Sequence, residues 1–469
     1  MTTSRDSLFQ MTAQQVTEYL DRNMPLEPGT KIQYGHPSPR FWETRQPSFE
    51  ELFRPVVADR PLNLYLHVPF CPPTKPGACG FCLFSREDFR TYDVVDAYMR
   101  NLHAELDKVG RLLGRRELNT IYVGGGTPNI LRADAIRALF AGIRTHFVTS
   151  ENCEITFEGT PGLFTLDRLE ALTECGVTRI SNGAQMLKPH LVAYSGRKQR
   201  PEQIRRTAEF CADHGMRCSV DLITGWFEQT PQDLIDDIDT LNDWGVTEIV
   251  NHPLTLAGES EFARRRSELP KVSVTCKTFL TARDHLHKLG FRADSYTDYC
   301  RSTLPPVRFL DMYRDALRND RVGVGYGANS LLAGTLAQPG HTFRNVEGVG
   351  PYDARVQGGG SCAESIFRFS REDLRLLFVL KGLEGTPYLD AREYKAMFGT
   401  DLVTDLAPWW QALEVRGWLE WKGTSPMLVG EGVFYTSTVQ RCISELRNRE
   451  LRALAAPQPS AVSARAMGA

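Results

Sequence analysis

Cys71, Cys79 and Cys82 are the residues of this chain best suited to do chemistry: three thiols in one loop, directly after an apolar run from Leu62 to Phe70 that reads as a strand. Thiolates are the usual ligands of iron–sulfur clusters. Three protein ligands with one open coordination position let a metal centre bind a reactant as well as stay in place. Taken alone, the trio also fits a zinc knot or three unrelated buried thiols, because Cys-rich tracts commonly bind zinc. A second motif, Gly124-Gly125-Gly126-Thr127-Pro128, follows the apolar run that ends at Val123. Glycines there leave room for a ligand to approach the backbone, and Pro128 stiffens the exit of the turn. A plain strand-to-helix turn is the other reading, and the run has neither the P-loop spacing nor the G-x-G-x-x-G pattern of a nucleotide loop.

Something must hold these motifs at strand ends. β-type runs at Asn63 to Val68, Thr120 to Val123, Glu154 to Glu158, Arg179 to Asn182, Ser219 to Ile223 and Glu248 to Asn251 alternate with amphipathic segments at Tyr92 to Leu113, Ala133 to Thr145, Leu166 to Cys175, Pro201 to His214 and Thr230 to Trp244. That alternation is the signature of βα repeats around a parallel sheet. Six repeats predict an α/β fold, a partial (β/α)6 barrel of the TIM type. In such barrels chemistry gathers at the C-terminal ends of the strands, where every motif here falls.

The chain has 469 residues, enough for two or three domains, and its 42% hydrophobic and 24% charged content is that of an ordinary globular protein. A net charge of −2 gives no electrostatic reason to bind nucleic acid or an anionic membrane. Met1 to Gln10 is polar, unlike a signal peptide, and no apolar run reaches membrane-spanning length, so a cytoplasmic location is expected. Eleven cysteines, scattered apart from the trio, point to metal binding and free thiols rather than a disulfide framework.

At this point the residues resemble a known family, the radical S-adenosylmethionine (SAM) enzymes, and within it the group similar to oxygen-independent coproporphyrinogen III oxidase (HemN-like). The resemblance is carried by Tyr65-Leu66-His67-Val68-Pro69-Phe70-Cys71 and Gly125-Gly126-Thr127-Pro128, then by Glu158, Gly183-Ala184-Gln185, Arg197, Asp221-Leu222-Ile223-Thr224-Gly225 and Gly325-Tyr326-Gly327-Ala328, in family order over roughly Leu62 to Leu451. It implies that Cys71, Cys79 and Cys82 hold a [4Fe-4S] cluster whose fourth iron is chelated by SAM, and that SAM is cleaved to a 5′-deoxyadenosyl radical, with the hard chemistry belonging to the cofactor. It also implies SAM contacts at Tyr65, Gly125, Gly126, Thr127 and Glu158. A second SAM molecule would meet Phe81, Gly126, Thr127, Gln185, Arg197 and Asp221; a guanidinium grips a carboxylate and an ionised aspartate accepts from ribose hydroxyls. The implied partners are a small-molecule substrate and an electron donor such as flavodoxin or ferredoxin, without nucleic acid or membrane.

The sequence departs from the family pattern in three places. Seven residues, Pro72 to Ala78, separate the first two cysteines where the family has three, and Lys75 stands at the usual cysteine position. The longer loop costs only roughly 0.8 kcal/mol of closure entropy, which its three prolines reduce. Phe84 replaces a further cysteine of the authentic oxidases, and Asn329 stands where an apolar residue is expected beside SAM. These departures favour C-methylation or cyclopropanation of an unsaturated carbon in a specialised metabolite, using the second SAM. Oxidative decarboxylation of porphyrinogen propionates, and a non-catalytic haem-carrier role with His67 and His36 as axial ligands, are the other readings.

The expected division runs as a strap with one helix (1–61, the helix over Thr12 to Asn23, then a Pro-rich stretch from Tyr34 to Trp42), the barrel (62–300), a connecting region (301–366), a C-terminal winged-helix-like α+β domain covering the substrate side (367–451), and a disordered tail (452–469). The C-terminal part reads as helices at Leu374 to Leu383, Ala391 to Phe398 and Leu402 to Arg416, then strands at Trp418 to Trp421 and Met427 to Gly430. It lacks the clustered basic face of a DNA-binding winged helix. Trp409, Trp410, Trp418 and Trp421 are either its core or the lining of the cover.

Overall fold

The computed structural model describes residues 11–29, 36–54, 60–75, 77–82, 84–256, 260–385 and 389–455. The first helix, α1 (Ala13–Asn23), begins where Thr12 accepts the Gln15 amide and the Gln15 side chain reaches back to the Thr12 N–H, a reciprocal cap. Strands β1 (Leu62–Val68), β2 (Glu117–Gly125), β3 (Val148–Gly159), β4 (Arg179–Gln185), β5 (Arg217–Thr224) and β6 (Glu248–Pro253) then lie side by side in sequence order, every adjacent pair parallel. The crossovers are α2 (Tyr92–Leu113), α3 (Ala133–His146), α4 (Leu166–Glu174), α5 (Pro201–Asp213) and α6 (Pro231–Asp243), and α7 (Val272–Lys288) follows β6. Alternation along β1 explains the layering. Leu62, Leu64, Leu66 and Val68 join Leu102 and Leu106 of α2 in the main core, which leaves Asn63, Tyr65 and His67 facing the barrel interior. This is the partial (β/α)6 barrel of the TIM type that the βα repeat predicted.

The sheet is wider than the sequence pattern suggested. After β6, β7 (Phe291–Ala293) and β8 (Asp298–Arg301) extend one edge antiparallel, and α8 (Arg308–Arg314) follows. Strand β9 (Asp320–Val324) then pairs parallel with the free side of β1, and β10 (Asn329–Gly334), β11 (Pro339–Asn345) and β12 (Ala363–Arg368) continue antiparallel into a 13-stranded sheet. Residues 301–366, read from sequence as a connector, therefore carry four strands of the main sheet. Glycines and polar residues such as Gly323, Gly325, His341 and Thr342 blur their period-2 pattern.

The C-terminal part consists of α9 (Arg371–Glu384), α10 (Ala391–Phe398), α11 (Ala407–Val415), a hairpin of β13 (Leu419–Lys422) and β14 (Ser425–Leu428), and α12 (Thr436–Ala455). The helix expected over Leu402 to Arg416 breaks at Leu406, because Pro408 has no N–H to continue it and sits in the first turn of a new helix instead. Val16, Tyr19 and Leu20 of α1 share one core with Trp409, Trp410 and Leu413 of α11 and with Val439 and Ile443 of α12. Trp409, Trp410 and Trp418 are thus core residues, not the lining of a cover. Tyr34 of the Pro-rich stretch lies outside the described residues. His36 is buried, with Nδ1 3.2 Å from the Ser444 hydroxyl and Nε2 3.4 Å from Asp373 Oδ1. The tail expected from 452 begins as the last turn of α12, and residues 456–469 lie outside the described residues. Among the described residues, no helix is long and apolar enough to cross a membrane.

Candidate functional site

The C-terminal ends of β1 and β2 are locked together before any ligand is considered. The Gly126 N–H donates to the Val68 carbonyl at 2.8 Å, and a Cβ on Gly126 would stand 2.4 Å from the Pro69 carbonyl oxygen. Gly125 has φ +119°, and a Cβ there would meet the His67 ring at 2.9 Å; one on Gly124 would meet Glu158 Oε2 at 2.5 Å. These glycines are needed for the protein's own close packing. This chain-to-chain constraint stands beside the expected room for a ligand.

From β1 the chain enters the cysteine loop. Cys71, Cys79 and Cys82 are free, half-buried thiols, as is Cys153 elsewhere in the chain, whereas Cys175, Cys211, Cys218, Cys276, Cys300, Cys362 and Cys442 are buried. Thr127 Oγ1 donates to Cys71 Sγ at 3.3 Å, and Arg197 Nε donates to Cys79 Sγ at the same distance. The Cys79 N–H donates to Thr74 Oγ1 at 3.0 Å and the Cys82 N–H to the Ala78 carbonyl at 3.1 Å. Ala78 and Cys79 both have left-handed backbones, φ 58° and 56°, a conformation that disfavours non-glycine residues and clusters at functional sites. Burial pushes the Cys71 thiol up to about 11, with the Thr127 hydrogen bond opposing, and raises Cys82 as well. A metal arriving here displaces protons from desolvated thiols.

Among the described residues, no three His, Cys, Asp or Glu side chains converge to hold a single metal ion. A cubane asks for less, since each thiolate binds a different iron. Three free thiols on one loop, two of them already accepting hydrogen bonds at sulfur, fit that donor set.

Below the loop the barrel interior is acidic. Glu158 at the end of β3 accepts from the Tyr122 hydroxyl at 2.7 Å and from the Gly125 N–H at 3.2 Å, and burial raises its pKa against these bonds. Asp221 on β5 is held up to about 7, first by burial and then by the charge of Glu158. Deeper still, Arg179 is ion-paired to Glu248 at 2.7 Å, and Arg217 pairs with the same carboxylate at 2.6 Å. Glu154 also lies 4.0 Å from Arg217, so two carboxylates match the two deep arginines, which leaves the Glu158–Asp221 level with a negative bias.

Gly183 is where the residues expected around a second SAM meet. Arg197 Nη1 donates to its carbonyl at 2.6 Å, and a Cβ on Gly183 would lie 3.2 Å from Gln185 Nε2 and 3.9 Å from Asp221 Oδ2. Gln185 has φ 69°, at a register shift between β4 and β5. The Arg197 guanidinium stands 5.8 Å from the centroid of Phe81, whose ring packs on Trp226 at 5.1 Å. Tyr65 stacks beside Tyr122, ring centroids 6.1 Å apart. Phe81, Gln185, Arg197 and Asp221 thus form one wall, and Tyr65, Gly125, Gly126, Thr127 and Glu158 form another.

The sequence reading missed several neighbours. Tyr122 lies two residues before Gly124 on the inward face of β2, and strand alternation would have found it. His67 was considered a haem ligand, but both its nitrogens are engaged: Nδ1 lies 3.0 Å from the Tyr65 hydroxyl and Nε2 3.2 Å from the Ser85 carbonyl. Burial pulls its pKa down to about 4, so the ring is neutral; the carbonyl assigns the proton to Nε2 and leaves Nδ1 to accept from Tyr65. His36, the other considered ligand, is buried against Asp373 and Ser444. His252 lies on β6, where no motif marked it.

Residues 65–241 match the Radical SAM superfamily. The chain is 27% identical over 273 residues to the heme chaperone HemW of Escherichia coli (strain K12), which is 58% of this chain and 70% of that protein. It is 34% identical over 178 residues to the oxygen-independent coproporphyrinogen III oxidase of Bradyrhizobium diazoefficiens, 38% of this chain and 39% of the relative. Among solved structures, coproporphyrinogen III oxidase (HemN) from Escherichia coli superposes with a TM-score of 0.75 at 20% identity, covering 88% of this chain and 99% of that one. That likeness shows a common fold, and the radical SAM family brings a [4Fe-4S] cluster and SAM as its cofactors. With the cysteine loop at the end of β1, the glycine turn after β2 and the acidic strand ends all in register, the chain is a HemN-like radical SAM protein.

Proposed function

We propose that this chain is an enzyme of the oxygen-independent coproporphyrinogen III oxidase type, taking a haem precursor or a close carboxylated analogue as its substrate. The relatives reported above handle haem or its precursors, and none is a methylating or cyclopropanating enzyme. The expectation of C-methylation or cyclopropanation therefore gives way to oxidative decarboxylation of a propionate side chain. The observation that carries the reading is the cysteine loop itself: three free thiols, hydrogen-bonded by Thr127 and Arg197, above a barrel interior lined by carboxylates.

Cys71, Cys79 and Cys82 would hold a [4Fe-4S] cluster which, when bound, supplies the electron that splits the sulfonium C–S bond of SAM. The chain's own residues do the positioning. Glu158, kept in place by Tyr122 and Gly125, offers a carboxylate to the SAM ammonium. The negative bias of the Glu158–Asp221 level favours a sulfonium cation. Thr127 and Arg197 stabilise negative charge on the sulfurs of Cys71 and Cys79. Phe81, Trp226 and Phe262 make an apolar wall that keeps water from the reactive centre. Gln185, Arg197 and Asp221, around Gly183, are the groups we assign to a second SAM.

A haem-chaperone reading is favoured by one observation, the 27% identity to HemW over 70% of that protein. Against it, the two histidines considered as ligands are both engaged in the structure. Anaerobic reconstitution followed by SAM, dithionite and coproporphyrinogen III separates the readings. Decarboxylated porphyrinogen with 5′-deoxyadenosine supports the proposal. S-adenosylhomocysteine alongside 5′-deoxyadenosine would restore methyl transfer, and stable haem binding without 5′-deoxyadenosine would favour the carrier.

A further inference from the structure

Beneath Tyr65 the barrel opens sideways into a small crevice lined among others by Asn63, Phe309, Tyr313, Asn319, Arg321 and Lys381. It is bounded by β1 and β9 on one side, by α8 on another and by α9 of the C-terminal part. We propose that this crevice is a carboxylate-binding subsite for the substrate, with Arg321 as its anion anchor and Lys381 as a second cation. The inference rests on the substrate class proposed above and gives it a location.

Arg321 differs from four other cations of the interior. Arg179 and Arg217 are ion-paired to Glu248, and Arg60 and Arg116 lie 3.7 and 3.6 Å from the carboxylate of Asp320, the neighbour of Arg321 on the opposite face of β9. Among the described residues, Arg321 has no carboxylate within ion-pair distance. Its guanidinium stands over the Tyr313 ring, 5.1 Å from the centroid. Lys381 Nζ stands 3.4 Å from the centroid of the same ring and 3.1 Å from Glu384 Oε2, with its side chain 7% exposed. The two cations thus share one aromatic ring, and only one of them carries its own counter-ion. A guanidinium offers two parallel N–H donors that match a carboxylate edge to edge.

The register ties this crevice to the proposed chemistry. Arg321 is paired opposite Asn63, and Gly323 opposite Tyr65, so Arg321 lies one inward-facing step below the tyrosine at the SAM side. The positive charge of Arg321 reaches the Tyr65 phenol, where it opposes the rise caused by burial. A substrate held by its carboxylate at Arg321 would therefore extend its carbon chain past Phe309 and Tyr122, whose rings are 4.5 Å apart, towards Tyr65. The acidic level at Glu158 and Asp221 repels a carboxylate, so an acid-bearing substrate is orientated with its anionic end away from it.

Ligand-observed NMR titration of the reconstituted holoprotein with 3-phenylpropanoate, 3-phenylpropanamide and coproporphyrin III tests this, with Arg321→Gln and Arg321→Lys compared after circular dichroism confirms their fold. The expected result is binding of both acids but not the amide. Kd should rise tenfold or more for both acids in Arg321→Gln and by less in Arg321→Lys, which keeps the charge but loses the fork. Phenylpropanoate bound through Arg321 without any coproporphyrin binding would uphold the subsite and sink the haem-precursor reading. Coproporphyrin bound equally by the wild type and Arg321→Gln would uphold that reading and overturn the subsite. Equal binding of acid and amide by the unmodified protein, or no acid binding at all, would also overturn the subsite, whatever the variants do.

Discussion

Single side chains set the electronic state of this site. The Thr127 hydroxyl is a hydrogen-bond donor to Cys71 Sγ, and such bonds raise the reduction potential of a cluster by drawing charge from sulfur. Thr127→Val should therefore make the potential more negative in an EPR-monitored redox titration; an unchanged potential would contradict the role. Asp221 gives a pH-dependent prediction. Its carboxyl is held up to about 7 against an ordinary value of 3.8. Its contribution to stability is therefore complete below 3.8 and is lost as pH rises through about 7. Asp221→Asn stays neutral throughout that window, so its urea midpoint, measured on the metal-free protein, should fall less steeply with rising pH than that of the wild type. Parallel profiles would show that the charge of Asp221 is compensated elsewhere.

Loops at strand ends are held by elements far away in sequence. The Gly325–Ala328 turn after β9 is anchored by Glu105 of α2, a fully enclosed carboxylate that accepts from the Gly325 N–H at 2.7 Å, the Tyr352 hydroxyl at 2.7 Å and the Asn345 amide at 2.8 Å. The Tyr98 hydroxyl links the same turn to β1, donating to the His67 carbonyl at 2.5 Å and accepting from the Tyr326 N–H at 3.1 Å. Glu105→Ala would leave the buried Gly325 N–H and Tyr352 hydroxyl unpaired, while the Asn345 amide keeps the Gly325 carbonyl, at about 1–3 kcal/mol for each orphaned donor, so a loss of about 2 kcal/mol or more in urea unfolding is expected; a loss below about 1 kcal/mol would mean that water replaces the carboxylate. None of this was legible in the sequence, where Glu105 is one acid among many on an amphipathic helix. The six βα repeats and the motifs at their ends were legible, because parallel strands buried on both faces leave long apolar runs. Strands β9 to β12 were not, since their pairing is set by contacts with β1 and α2 rather than by their own pattern. The cysteine trio, Glu158 and Asp221 stood out through their order along the chain. Tyr122, Arg321 and His252 carry no motif and become visible only when the inward faces of the strands are assembled.

At the scale of the whole molecule, the first helix and the last are one unit. Val16, Tyr19 and Leu20 of α1 are buried in the core of the C-terminal helices, although nearly the whole chain separates them in sequence. Leu20→Ala should cost about 2–5 kcal/mol, as for other fully buried leucines. Hydrogen exchange should then show weakened protection in α11 and α12 while β1 to β6 stay protected; uniform loss across the barrel would mean that the two cores unfold as one. Because α9 of this unit also walls the Arg321 crevice, its docking bears on substrate binding as well as on stability. The central claim remains the cysteine loop, and its most direct test is anaerobic reconstitution of the wild type and of Cys71→Ala, Cys79→Ala and Cys82→Ala, followed by SAM and dithionite with 5′-deoxyadenosine quantified by mass spectrometry. The account predicts a [4Fe-4S] EPR signal and 5′-deoxyadenosine from the wild type, with 5′-deoxyadenosine lost in all three variants. A wild type that forms no cluster, or a variant that still releases 5′-deoxyadenosine at the wild-type rate, would contradict it.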